Sequence, residues 1–281
     1  MIEEIKKIIP NNRENLKVSK FFHGDPATSR KVLFFISAGD EPLYIIKMAR
    51  DIESNGMIER ETEGLKYFSS TGLNTPKIFS TGKMGDLNYV CEEIISGQPV
   101  GKRSEAEYFY LVAEYHNSVK KIKKIKIASV SEAIKDLGIT GDQEYEQAIK
   151  LLNKRKERDI YVANQHGDLT YKNLMKKDGG GIVFIDFENF GLRSVWGNDV
   201  IHYLVRMTNV FDFYKENKDV SENMSRFVET SKVYREKYNL GIDDEECADL
   251  FLLDLLFNDL QRTYFSVKKE IIPLMKNIWS K

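Results

Sequence analysis

Two short segments of this 281-residue chain carry side chains in an order that could transfer a phosphoryl group. The first is His166-Gly167-Asp168-Leu169-Thr170-Tyr171-Lys172-Asn173, and the second is Ile185-Asp186-Phe187-Glu188. Phosphoryl transfer asks little covalent chemistry of a protein. It needs metal ions to neutralise phosphate charge and a carboxylate that orients and deprotonates the attacking hydroxyl. Asp168 can be that carboxylate. Asn173 can offer Mg²⁺ a neutral oxygen and Asp186 an anionic one; Mg²⁺ favours one or two carboxylates, with phosphates and water completing its shell. Taken alone, His-Gly-Asp is a turn that any soluble protein can contain. A carboxylate in the apolar run around Asp186 is harder to dismiss, because burial without a partner or a metal is costly.

The elements that must position these groups follow from pattern and turn chemistry. Asn173 to Lys177 and Ile182 to Phe187 predict a hairpin about Asp178-Gly179-Gly180-Gly181, whose glycines permit positive φ. Such a hairpin brings Asn173 and Asp186 together at its open end. Upstream, Lys31 to Ser37 and Leu43 to Met48 are β-branched and aromatic runs flanking Gly39-Asp40, which predicts a second hairpin. Lys47 lies within the second run, so its ammonium needs a counter-ion. Ile58 to Phe68 fits an amphipathic helix stopped at Ser69-Ser70-Thr71-Gly72, followed by strands at Ile78 to Ser80 and Leu87 to Ile95. From about Ser104 the pattern turns helical: Glu105 to Val119, Asp142 to Glu157, Asp199 to Tyr214, Ser221 to Tyr238 and Asp244 to Val267. The fold class is therefore α+β, with a small β-rich lobe over residues 1–96 and a larger helical lobe over 97–281.

His-Gly-Asp-x-x-x-x-Asn followed by Ile-Asp-Phe is similar to the aminoglycoside phosphotransferase and choline kinase superfamily, relatives of the protein kinases. Protein kinases usually carry His-Arg-Asp and Asp-Phe-Gly at these places; Gly167 and Glu188 here favour the small-molecule branch. The resemblance implies a kinase-like two-lobed fold and an enzyme that uses ATP (or GTP) and Mg²⁺ to phosphorylate a hydroxyl of an aminoglycoside, a sugar or a choline-like alcohol. It implies Asp168 as the catalytic aspartate, Asn173 and Asp186 as metal ligands, and Asp199 as support for the loop. It also implies Lys47 as the lysine that contacts the nucleotide phosphates, paired with a helix glutamate. Glu61 fits that role, with Glu59 and Glu63 as rivals that spacing does not separate. Glu92, Glu93 and Ile94 fall at the expected hinge, where backbone groups meet the adenine. Gly24 and Ser29, with Thr28, fall in the expected phosphate-covering loop, although Pro26 removes one donor there. A protein kinase or a non-catalytic pseudokinase is the alternative.

Acceptor contacts are expected from the last helix. On a 3.6-residue wheel, Glu245, Asp249 and Asp259 fall on the side of Leu252 and Leu256, and carboxylates in an apolar stripe need partners. A cationic or polyhydroxylated acceptor could supply them. So could the protein: Glu245 suits a helix N-terminus, and Asp259 can pair with Arg262. Glu188 is the remaining acceptor candidate.

Other features are bland. Gly97-Gln98-Pro99-Val100-Gly101-Lys102-Arg103 imitates a P-loop with the wrong glycine spacing and no Ser or Thr after its lysine. Lys120 to Lys126 reads as a solvated basic stretch. Forty-two basic and 43 acidic residues nearly cancel, so no global field points to nucleic acid. Cys91 and Cys247 do not form the framework of a small secreted domain. With no signal-peptide pattern and no apolar run of about eighteen residues, the expected compartment is the cytoplasm, with no membrane contact.

Overall fold

The computed structural model describes residues 5, 8–9, 16–22, 29–104, 106–135, 143–192, 194–208 and 219–263, with no side-chain account of 103, 134–135 and 258–263. The chain groups into two compact units: Met1–Val100 with Lys172–Phe190, and Gly101–Tyr171 with Gly191–Lys281.

The first unit is built on a five-stranded antiparallel sheet. Its strands are β1 (Leu16–Phe22), β2 (Lys31–Ala38), β3 (Glu41–Ala49), β4 (Ile78–Met84) and β5 (Leu87–Glu93), in the order β1-β2-β3-β5-β4. Val32, Phe34 and Ile36 of β2 meet Met48, Ile46 and Tyr44 of β3, and all six lie in one core cluster. Strand side chains alternate between faces, so Lys31 and Leu33 take the other face. Leu33 pairs with Lys47, which puts both lysines on that second face. Helix α1 (Asn55–Ser70) buries Ile58, Glu61, Leu65 and Phe68 along one stripe, with Gly64 inside it. A mid-helix glycine costs about 1 kcal/mol relative to alanine. Here it is required by close approach, since a Cβ at Gly64 would stand 2.7 Å from Cβ of Phe187 and 3.0 Å from Cβ of Phe190.

Three strands form a second sheet in the order β10-β9-β6: β6 (Gly97–Pro99), β9 (Leu174–Lys177) and β10 (Ile182–Phe184). This sheet moves the sequence-based boundary. The β9–β10 hairpin was assigned with the helical lobe, yet β9 pairs with β6, and Phe184 N donates to Asn74 O at 2.9 Å. Those bonds tie the hairpin to the first unit. The false P-loop is accounted for here too: a Cβ at Gly97 would meet the Lys176 carbonyl oxygen at 2.0 Å, so the glycine serves strand pairing.

The second unit contains α2 (Phe109–Ser118), α3 (Ile127–Lys135), α4 (Gln143–Asn153), α5 (Asn198–Met207), α6 (Val220–Lys237) and α7 (Asp244–Thr263). A two-stranded sheet joins β7 (Lys123–Lys126) to β8 (Asp159–Val162). The basic stretch is thus a strand, with Lys124 and Lys126 both paired to Asp159 at 2.9 Å. Helix α5 is buried almost all round, and α7 packs against α4, α5 and α6. No helix among the described residues is long and apolar enough to cross a membrane.

Candidate active site

The sequence-predicted residues fall in both units, and each group is described within its own. In the first unit, Lys47 ends between two buried carboxylates. It pairs with Glu61 of α1, and its Nζ lies 2.8 Å from Oε1 of Glu92 on β5. Of the three rival glutamates, Glu61 is the one at Lys47: Glu63 is exposed, and Glu59 accepts a hydrogen bond from Asn88. Burial disfavours the Lys47 ammonium, but the adjacent carboxylates outweigh it and hold its pKa well above the ordinary lysine value. Glu92 goes the other way. Burial pushes it up to about 7 against the pull of Lys47, and neighbouring Glu61 adds to the rise. The second oxygens of Glu61 and Glu92 have no hydrogen-bond partner among the described residues.

A second ammonium completes the cluster. Nζ of Lys31 lies 2.6 Å from Oδ1 of Asp186 and 2.8 Å from Oε2 of Glu188. Lys31 is likewise raised, with burial opposing and Asp186 and Glu188 prevailing. Four carboxylates therefore face two ammonium groups, and with Glu92 ionised the cluster is left negative.

Asp186 corrects its sequence assignment. It does not continue the strand: β10 ends at Phe184, and Asp186 turns at φ 67°. The left-handed region is uncommon for a residue with a Cβ, though aspartate tolerates it better than most. Neighbouring rings hold the turn, with Phe187 fully buried and stacked on Phe68 of α1 at 5.3 Å. The hairpin closes at its open end, where Ile185 N donates to Asn173 O at 3.0 Å. Asn173 is buried at the end of the turn Tyr171–Asn173.

These groups meet what Mg²⁺ asks of a protein. Asn173 and Asp186, joined by Glu188, offer hard oxygen donors. Two of them already converge on a cation, since the Lys31 ammonium is held between Asp186 and Glu188. Among the described residues no group of three or more His, Cys, Asp and Glu could hold an ion unaided.

Other predicted residues take different places. Glu188, an acceptor candidate from sequence, instead shares Lys31 with Asp186, because it follows two residues behind on the same turn. Ser29 is buried, and its hydroxyl donates to Lys31 O at 2.7 Å. At the expected hinge, β5 ends at Glu93, which pairs with Lys177 at 3.0 Å, and Ile94 follows it. The side chain of Glu92 adds the pairing with Lys47 described above. Gly24 and the side chain of Asp259 lie outside the described residues.

In the second unit, Asp199 organises the loop that carries Asp168. Its carboxylate accepts from His166 N at 2.7 Å, from Gly167 N at 3.0 Å and from the Tyr115 hydroxyl at 2.5 Å. Gln165 Oε1 accepts from Asp199 N at 3.1 Å. Gly167 takes φ 87°, which a glycine adopts without strain. Asp168 emerges partly exposed, its side chain at 36%. Asp249, predicted to meet an acceptor, is 1% exposed and held by Arg155 at 3.0 Å and Arg158 at 2.7 Å. Its partners are intramolecular. Glu245 beside it pairs with Arg158.

Solved structures similar to this chain include a thermostable mutant of aminoglycoside phosphotransferase APH(4)-Ia in ternary complex with ADP and hygromycin B. The match has a TM-score of 0.55 and 15% sequence identity, covering 94% of this chain and 93% of that one. The ethanolamine kinase of Plasmodium vivax matches with TM-score 0.55 and 15% identity, over 99% of this chain and 84% of that one. Choline kinase LicA from Streptococcus pneumoniae matches with TM-score 0.51 and 15% identity, over 98% of each chain.

This is the aminoglycoside phosphotransferase and choline kinase fold.

No protein-family model and no curated protein sequence matches the chain. At such identities the likeness is one of fold, so the chemistry has to be argued from side chains. In this phosphotransferase fold, sequence reasoning missed Lys31 and the side-chain part of Glu92. The signal for Lys31 was parity: two residues before Leu33, it shares a face with Lys47 once the Gly39-Asp40 turn fixes the register.

Proposed function

We propose that this chain is an ATP- and Mg²⁺-dependent phosphotransferase that phosphorylates a hydroxyl of a small molecule in the cytoplasm. The observation that carries this reading is the first unit's cluster, in which buried Lys47 is paired to Glu61 beside carboxylates that converge on a cation. An ammonium held this way has a fixed position and a permanent charge, suited to a nucleotide phosphate. Asn173 and Asp186, with Glu188, would hold Mg²⁺. When bound there, the ion would supply positive charge to the phosphate oxygens. Backbone groups from Glu92 to Ile94 would meet the adenine, and Ser29 would lie toward the phosphates. Asp168 would orient the acceptor hydroxyl and take its proton. An adenine nucleotide is favoured because similar structures hold ADP and AMP-PNP. Similar proteins are named for aminoglycoside, ethanolamine and choline acceptors, which sets the acceptor range to screen.

One observation favours a second reading, a non-catalytic nucleotide-binding module: Lys31 already occupies the carboxylates that a metal would use. A single experiment separates the two. MgATP consumption by purified protein is followed against aminoglycosides, choline, ethanolamine and monosaccharides, for wild type and Asp168→Ala. An enzyme gives an acceptor-dependent rate that falls by about 10²–10⁴-fold in Asp168→Ala while MgATP binding persists. MgATP binding with no acceptor-dependent rate in either protein would leave the binding module.

A further inference from the structure

Behind Asp168 stands a row of buried groups. His202 of α5 is fully buried, with Nδ1 2.8 Å from Oδ1 of Asp254 on α7 and Nε2 3.3 Å from Oδ1 of Asp168. Asp254 is 1% exposed. Arg206, one turn along α5, donates from Nε to His202 Nε2 at 3.1 Å. All these residues belong to the second unit.

A buried histidine satisfied by one carboxylate is ordinary core architecture. The arrangement here does more, because each ring nitrogen ends on a different carboxylate, one sealed and one reaching solvent. An Nδ1–H that donates to Asp254 leaves Nε2 as the lone-pair nitrogen of a neutral ring. That nitrogen accepts from Arg206 Nε and stands 3.3 Å from the Asp168 carboxylate. Charged groups reach the ring from three elements: Asp168 from the loop, Asp254 from α7 and Arg206 from α5 itself.

We propose that His202, braced by Asp254, is a positioning residue for Asp168 and receives the proton that Asp168 draws from the acceptor hydroxyl. The inference rests on Asp168 being the base, as proposed above. In the step, the hydroxyl oxygen forms a bond to the terminal phosphorus of ATP as its own O–H bond breaks. The P–O bond to the leaving group also breaks, and its electron pair stays with ADP. The proton passes to Asp168 and on to His202 Nε2, where Arg206 must withdraw its N–H. The imidazolium then lies against the Asp254 carboxylate, the relation by which an aspartate stabilises a histidine that has accepted a proton. As product leaves, the proton returns through Asp168 to solvent. Asp168 is thereby restored as a carboxylate for the next turnover.

The test joins a spectroscopic and a kinetic readout on the full chain. Imidazole nitrogen resonances are recorded by NMR, with His202 identified by the signals lost in His202→Asn. Asp168→Asn should shift the Nε2 resonance of His202, and Asp254→Asn its Nδ1 resonance. An Nε2 signal indifferent to Asp168→Asn would overturn the proposal. Turnover of MgATP with water as the acceptor is then followed from about pH 5 to pH 9. For His202→Gln and Asp254→Asn, kcat should fall by about 10²-fold, the lower range for a positioned acid–base group, with KM for MgATP unchanged and the acid limb displaced. A merely structural role would lower the melting temperature and leave the pH profile of the folded protein as in wild type, which would equally overturn it. Asp254→Asn keeps the shape of the side chain and carries the kinetic test if His202→Gln does not fold. Turnover lost in Asp168→Ala but wild-type in both relay variants removes the relay alone. Turnover retained in Asp168→Ala removes the base assignment and the relay together.

Discussion

The ammonium of Lys31 lies 2.6 Å from the carboxylate of Asp186, so the proposed metal ligand already has a cation against it. Lys31→Met would leave Asp186 and Glu188 without that cation. Both are partly solvated, at 20% and 24%, so the expected loss is about 1–2 kcal/mol rather than the 3–5 typical of a sealed pair. Mg²⁺ should restore more of the melting temperature in the variant than it adds to wild type. Thermal melts in EDTA and in Mg²⁺ measure this, and equal metal-dependent shifts would show that Lys31 and the metal do not compete.

Glu92 gives the fold a pH dependence of defined sign. Its folded pKa of about 7 stands above the ordinary value of 4.5 because burial disfavours the charged form. Between those values the folded state holds a proton that the unfolded state has released, so this group's contribution to stability falls as pH rises through the window. The slope is at most about 1.4 kcal/mol per pH unit. Glu92→Gln removes the titration, so the variant should gain on wild type steadily from about pH 5 to pH 8 in chemical denaturation. A flat difference would mean that Lys47 keeps Glu92 ionised throughout.

Gly64→Ala tests the packing beside the proposed metal ligand Asp186. Its new methyl would need Phe187 and Phe190 to move, and a forced shift of this kind typically costs about 1–3 kcal/mol. Phe187 adjoins Asp186, so Mg²⁺-dependent stabilisation should weaken as well. An exposed control such as Glu63→Ala, one position earlier on α1, should change neither. Isothermal titration with MgADP reads the second effect.

Asp249→Asn should change little. Burial raises the Asp249 pKa despite Arg158 and Arg155, so the ion pairs do not fully repay the loss of water. Both arginines are part-exposed, at 31% and 27%, and can rehydrate. A change within about 1 kcal/mol is expected, with KM for MgATP and for the acceptor unaltered. A raised acceptor KM would return Asp249 to the substrate site.

The β2–β3 hairpin, Lys47 and the Asp168 loop could be read from the sequence because each is local: alternation, a glycine turn and a short motif define them. Glu61 was harder, since three glutamates at alternate positions occupy different helix faces and only packing selects one. It belongs to the stripe of Ile58, Leu65 and Phe68. What the sequence did not yield is relational. Lys31 matters through a residue 155 positions away, and the β9–β10 hairpin joins the first unit through β6, a three-residue strand that no periodicity marks. His202 and Asp254 lie on two helices whose apolar faces account equally well for either residue being core.

Asp186 also burdens the fold. Its backbone is held at φ 67°, a strain of order 1 kcal/mol, and its charge adds to a cluster that already has more carboxylates than ammonium groups. Glycine would relax the first burden and remove the second. Set against the lost ion pair to buried Lys31, those gains leave heat resistance nearly indifferent to this aspartate, whereas the proposed metal chemistry requires it. Position 186 would then be kept by function and not by stability.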